Sequence, residues 1–210
     1  MLFLFLIVGQ VWAQNPTRFE SQVKEIREIY PAEDYQGSVV FTGSSSIRMW
    51  ADLATDFPNH KVVNAGFGGS QAVDLLHYVD ELILAYRPKQ VFIYEGDNDI
   101  SAGKDTEVIM ETLNLIVSEI KLELPETEII LIGAKPSISR WELADKYTDL
   151  NTEMVKYSAV TERVQYADVW TGMLGPDKKP LPDIFLEDNL HMKRKGYEIW
   201  AKVIGKFLGY

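Results

Sequence analysis

The sequence predicts an α/β domain in three layers, with a five-stranded parallel sheet between two layers of helices. Two observations carry that expectation. Five short runs are dominated by apolar, largely β-branched residues, as expected of strands buried on both faces. Stretches of helical length and spacing separate them, the pattern left by repeated strand–helix crossovers.

The elements follow in chain order. Between Arg18 and Tyr30, Phe19, Val23, Ile26 and Ile29 share one helical face, and Pro31 stops the helix. Residues 38–42 form the first strand run, closed by Gly43, and residues 61–64 form the second, leading into the Gly66–Gly69 cluster. Residues 90–94 make the third before Gly96, residues 128–132 the fourth before Gly133, and residues 164–169 the fifth. Helices are expected over 70–86, 105–124, 140–160 and 194–208. No internal repeat, low-complexity tract or linker interrupts them, so residues 14–210 read as one domain.

A chain of 210 residues buries about 70% of its unfolded surface on folding, enough for a core without a covalent or metal staple. Its 21 Lys and Arg against 31 Asp and Glu give a formal charge of −10, which argues against nucleic acid as a partner. With no cysteine, a disulfide framework, a Cys-ligated metal site, a thiol nucleophile and a lipoprotein anchor are excluded.

At the N-terminus, Met1 to Val8 is almost wholly apolar, and Val11-Trp12-Ala13 precedes a polar stretch from Gln14. Residues 1–13 read as a secretory signal peptide cut after Ala13, although no Lys or Arg precedes the apolar run. The run is too short to span a bilayer, which takes about 20 residues. A secreted or periplasmic location is the expectation.

In a parallel sheet of this kind, ligands sit outside the carboxyl ends of the strands. The first strand leads into Ser44-Ser45-Ser46 and a helical turn, where a hydroxyl can project as a nucleophile; serine is equally a favoured N-cap there. Asn64-Ala-Gly-Phe-Gly-Gly-Ser70 brings backbone N–H groups close to a ligand or simply makes a tight turn. It completes neither a dinucleotide fingerprint nor a phosphate loop. After the third strand, the Asn98 side chain can donate to a developing oxyanion. Its neighbours Asp97 and Asp99 read as solvated turn residues. Asp188-Asn189-Leu190-His191 spaces a carboxylate to reach His191 Nδ1, which would leave Nε2 as a base, while Asp188 is equally a capping residue. His60 and His77 read as structural or surface residues.

Taken together, Phe41-Thr-Gly-Ser-Ser-Ser-Ile47, Asn64 to Ser70, Gly96-Asp-Asn98 and Asp188 to His191 resemble the four blocks of the SGNH (GDSL-like) hydrolases, in order and over nearly the whole mature chain. The likeness is strongest to the branch of platelet-activating-factor acetylhydrolase alpha subunits and bacterial secreted esterases. It implies a flavodoxin-like sheet and a serine esterase cleaving short-chain, chiefly acetyl, esters. Ser45 falls on the nucleophile, His191 on the general base and Asp188 on the residue that orients it. Ser45, Gly69 and Asn98 fall on the oxyanion hole, and no metal or organic cofactor is implied. The family's Gly-Asp-Ser is Gly43-Ser44-Ser45 here, which removes a carboxylate and leaves three serines side by side.

Two other classes fit the same blocks: an acyltransferase with an alcohol acceptor, and a non-catalytic glycan- or lipid-binding protein. No long lid-like insertion is visible, which favours a small ester substrate. Arg140 reads either as a contact for an anionic or sugar substrate or as an exposed charge at the start of a helix, and Trp50, Trp141 and Trp170 are compatible with an acetylated glycan or with ordinary core positions.

Overall fold

The computed structural model describes residues 15–209, and the expected signal peptide, residues 1–13, lies outside them. Five strands, β1 (Val39–Gly43), β2 (Val62–Gly66), β3 (Gln90–Tyr94), β4 (Glu128–Ile132) and β5 (Val164–Ala167), form one sheet in the order β2-β1-β3-β4-β5. Every pairing is parallel. Each apolar run predicted as a strand is one.

The helices are α1 (Glu20–Ile29), α2 (Ser45–Arg48), α3 (Leu53–Asp56), α4 (Ala72–His77), α5 (Val79–Leu82), α6 (Asp97–Ser101), α7 (Thr106–Glu123), α8 (Ala144–Val160) and α9 (Arg194–Leu208). Side chains alternate across a strand, and this sorts the core into two clusters. Val40, Val63, Val91, Ile93, Ile129 and Leu131 meet α1, α4, α5, α7 and α8 on one face. Val39, Phe41, Phe92, Tyr94, Ile130 and Ile132 meet α2, α3 and α9 on the other. Helices cover both faces of β1 to β4, which is why those strands carry little polar alternation, while the edge strand β5 leaves Gln165 exposed. None of the described helices is long and apolar enough to cross a membrane.

The expected helix over 70–86 is divided. Tyr78 leaves helical geometry (φ −110°, ψ 20°), its ring packs edge-on against Phe67 and its hydroxyl donates to Pro16 O. Burying that ring and satisfying its hydroxyl outweighs one continuous ladder. Helix α8 is preceded by a 3-10 turn at Trp141–Leu143, and β5 stops two residues early, where Val169 N–H donates back to Ala167 O.

The register decides where the site lies. Gly43 pairs with Gly66 on one side and Tyr94 on the other, so β1, β2 and β3 end level. The segments that follow leave from one edge, at the point where successive strands depart to opposite sides of β1.

Candidate active site

Ser45 opens α2 directly after β1. Ser44 N–H donates to Tyr94 O at 3.1 Å and Tyr197 of α9 donates to Ser46 O at 3.0 Å, so the serine turn is pinned from both sides. The three serines differ in environment. Ser44 and Ser46 are buried, at 2% and 3% exposure, and Ser45 is half-buried. Ser45 Oγ lies 3.0 Å from His191 Nε2.

His191 sits on a reversal closed by the isolated antiparallel bridge Phe185–Met192, with Leu186 N–H donating to His191 O at 2.8 Å. Asn189 takes the left-handed φ of +56° that makes this turn, a conformation asparagine tolerates well. Asp188 does both jobs that the spacing left open. Its Oδ1 accepts from the N–H groups of Leu190 and His191, each at 2.9 Å, and caps the turn. Its Oδ2 lies 2.6 Å from His191 Nδ1. Burial works to raise the Asp188 pKa, but the hydrogen bonds from His191 and the two amides prevail and bring it down to about 2. An ionised carboxylate only accepts, so Nδ1 carries the proton and Nε2 presents its lone pair to Ser45 Oγ–H when the ring is neutral.

Asn98 lies in the first turn of α6, after the left-handed Gly96. Its Nδ2 donates to Ser70 O at 2.8 Å, which ties it to the loop carrying Gly69. Gly69 has φ +84°, and a Cβ there would meet no atom within 4 Å, so the glycine serves backbone conformation and not close packing. The Ser45 N–H, in the first turn of its helix, has no i−4 acceptor within α2.

Asp97 corrects the sequence reading: it is a buried hub and not a solvated turn residue. Its carboxylate accepts from Tyr94 at 2.8 Å, Tyr147 at 2.5 Å and Arg140 at 2.6 Å, with Lys135 Nζ at 3.6 Å. Burial alone would raise its pKa; the two cations and the tyrosine hydroxyls outweigh that and hold it below the ordinary value. Lys135 is fully buried, and its Nζ also donates to Leu190 O at 2.9 Å, joining the Asn98 turn to the His191 turn. Burial pulls the Lys135 pKa down, against the opposing charge of Asp97. Asp99 is buried as well, between Ala72 N–H and Lys104. Behind Ser70, the buried Glu95 accepts a 2.5 Å bond from Ser70 Oγ; desolvation, then the Asp99 charge, lifts its pKa well above the ordinary value. Nothing in the sequence around Asp97 or Lys135 marks them as partners, since the chain between them includes a whole helix and a strand.

The expected substrate contacts are distributed differently. Arg140 turns its guanidinium onto Asp97 and Asn98. Trp50 is a core residue at 1% exposure, packed on Phe41, Phe57 and Trp200. Trp141 and Trp170 are half-buried and stacked on each other, with centroids 5.9 Å apart and planes at 22°.

The chain matches the family model of the GDSL-like lipase/acylhydrolases over residues 32–199. No curated protein sequence matches it. Solved structures with a similar fold include a Streptococcus pneumonia protein described as a platelet activating factor, at TM-score 0.82 and 19% identity, covering 90% of this chain and 92% of that one. A GDSL-like lipase from Bacteroides thetaiotaomicron has TM-score 0.74 and 18% identity over 93% of this chain and 97% of that one. An acetylxylan esterase from Geobacillus stearothermophilus has TM-score 0.64 and 18% identity over 83% and 95%. At these identities the structural likeness is one of fold. The family match covers most of the chain, and the chain belongs to the GDSL-like lipase/acylhydrolase family, whose members are carboxylic ester hydrolases.

Proposed function

We propose that the protein is an exported serine esterase that removes short acyl groups, chiefly acetyl, from small polar esters or acetylated glycans. The observation that carries this reading is the unbroken run from Ser45 Oγ to His191 Nε2 at 3.0 Å and from His191 Nδ1 to Asp188 at 2.6 Å.

In this reading Ser45 Oγ attacks the ester carbonyl while His191 Nε2 takes its proton. Asp188, ionised at any working pH, holds the ring and stabilises the imidazolium that forms. The Ser45 and Gly69 N–H groups and the Asn98 Nδ2–H not used by Ser70 receive the oxyanion, a donor of this kind contributing about 3–4 kcal/mol to the transition state. His191 then protonates the leaving alcohol, and water repeats the cycle on the acyl-enzyme.

An open site supports a small acyl group: Asp188 keeps 46% of its side chain exposed, and Ser45 is only half-buried. A sugar alcohol is supported by the half-exposed Trp141, which follows Arg140 and rests on Trp170, and by the fold shared with an acetylxylan esterase. Export rests on the signal-peptide pattern of residues 1–13.

Hydrolysis of p-nitrophenyl acetate, butyrate and octanoate tests the reading, with kcat/KM expected to fall along that series. A rise towards octanoate would make the protein a lipase. No hydrolysis of any of the three would favour a binding protein, and ester formation on an added alcohol in place of free acetate would make it an acyltransferase. Trp141→Ala is expected to raise KM for acetylated xylo-oligosaccharides several-fold more than for p-nitrophenyl acetate. Equal changes on both substrates would remove Trp141 from the sugar site.

A further inference from the structure

An asparagine amide is nearly symmetric in shape, and turned over about its Cβ–Cγ bond it exchanges a donor for an acceptor. Asn98 serves an oxyanion only in one of the two orientations, with a free Nδ2–H towards the reacting carbonyl. The surroundings of its amide select that orientation from both ends. Nδ2 faces Ser70 O at 2.8 Å, a group that only accepts. Oδ1 faces both terminal nitrogens of Arg140, each at 3.2 Å, and these only donate. Turning the amide over would set N–H against guanidinium N–H and carbonyl against carbonyl, so the flip is penalised twice.

The guanidinium is itself fixed. Its Nη1 also donates to Asp97 Oδ1 at 2.6 Å and Asp97 O at 3.1 Å, and the Asp97 carboxylate is clamped by Tyr94, Tyr147 and Lys135. Only 19% of the Arg140 side chain is exposed, so little of this cation is left for a substrate. A cation on Oδ1 also draws electron density from the amide and strengthens its N–H as a donor where charge develops. Lysine could not do the same, because one ammonium lacks the planar fork that spans Asp97 and Asn98 together.

We propose that Arg140 is a positioning residue for the oxyanion hole, which locks and polarises the Asn98 amide without touching substrate. The inference rests on the reading of Asn98 as an oxyanion donor. It predicts that loss of Arg140 lowers turnover through Asn98, beside any loss of stability through Asp97.

The test is steady-state hydrolysis of p-nitrophenyl acetate by the wild type, Arg140→Gln, Arg140→Lys, Asn98→Ala and the double variant Arg140→Gln/Asn98→Ala. Arg140→Gln is expected to lower kcat about tenfold to a hundredfold, less than or equal to the loss in Asn98→Ala, with KM changed less than twofold. Arg140→Lys keeps a countercharge for Asp97, so it secures the fold and is still expected to lose kcat. The double variant is expected to be no slower than Asn98→Ala alone, a non-additivity that a general structural role would not produce. A raised KM at unchanged kcat would make Arg140 a substrate contact, and additive losses would place its effect elsewhere; either overturns the inference. Wild-type kcat in Asn98→Ala alone would instead overturn the oxyanion reading beneath it.

Discussion

Ser45→Ala is expected to lower kcat/KM for p-nitrophenyl acetate by about 10,000-fold or more, the loss met when a member of a serine–histidine–carboxylate unit is removed. The melting temperature should barely move, because the side chain is half-buried and its hydroxyl meets the partly exposed His191 Nε2 and not a core group. Residual hydrolysis would come from the oxyanion donors, which the substitution leaves in place. Ser44→Ala and Ser46→Ala are the controls and should retain most of the activity, since both residues are buried and neither hydroxyl meets the histidine. Wild-type activity in Ser45→Ala would refute the nucleophile and direct attention to those two neighbours.

Asp97→Ala is expected to destabilise the protein by about 3–5 kcal/mol, the cost of leaving buried cations without their countercharge. Lys135 has no exposure at all, and Arg140 little, so neither recovers hydration when the carboxylate is lost. Asp97→Asn keeps the shape and removes the charge, and it separates the electrostatic part from the packing part. The pH dependence has a definite sign. The folded-state pKa of Asp97 lies below the ordinary value of 3.8, so its contribution is present above about pH 4 and is lost as the pH falls through the folded value. The stability gap between wild type and Asp97→Asn should therefore be widest near neutrality and narrow in acid. Urea denaturation of both proteins from pH 7 down to pH 3 measures that gap, and a gap that widened in acid would contradict the ion-pair account. Because Lys135 also holds Leu190 O, the variants should lose activity along with stability.

Local features of the chain were legible wherever the cause was local. The five mainly apolar runs were readable as strands of a covered parallel sheet, and the glycines after the first three marked the strand ends where Ser45, Gly69 and Asn98 stand. The turn from Asp188 to His191 was readable because three residues are enough to bring carboxylate and imidazole together. Its two readings, cap and partner, were both right in geometry, since a carboxylate has two oxygens and each takes one task. The break at Tyr78 was not legible: helical spacing runs through it, and the ring leaves the helix for Phe67 and Pro16, contacts made only in the folded core.

The sequence by itself determined the α/β layering, the end of the sheet at which chemistry must sit and the residue types collected there, because periodicity and turn chemistry act over a few neighbouring residues. Only the tertiary structure decided which of three adjacent serines faces His191, that Asp97 is a buried ion-pair hub, that Trp50 belongs to the core and that the Arg140 guanidinium meets Asp97 and Asn98. Burial and charge pairing depend on which distant segments the sheet register brings together. A carboxylate on a turn carries no mark of the lysine that will neutralise it from the end of another strand.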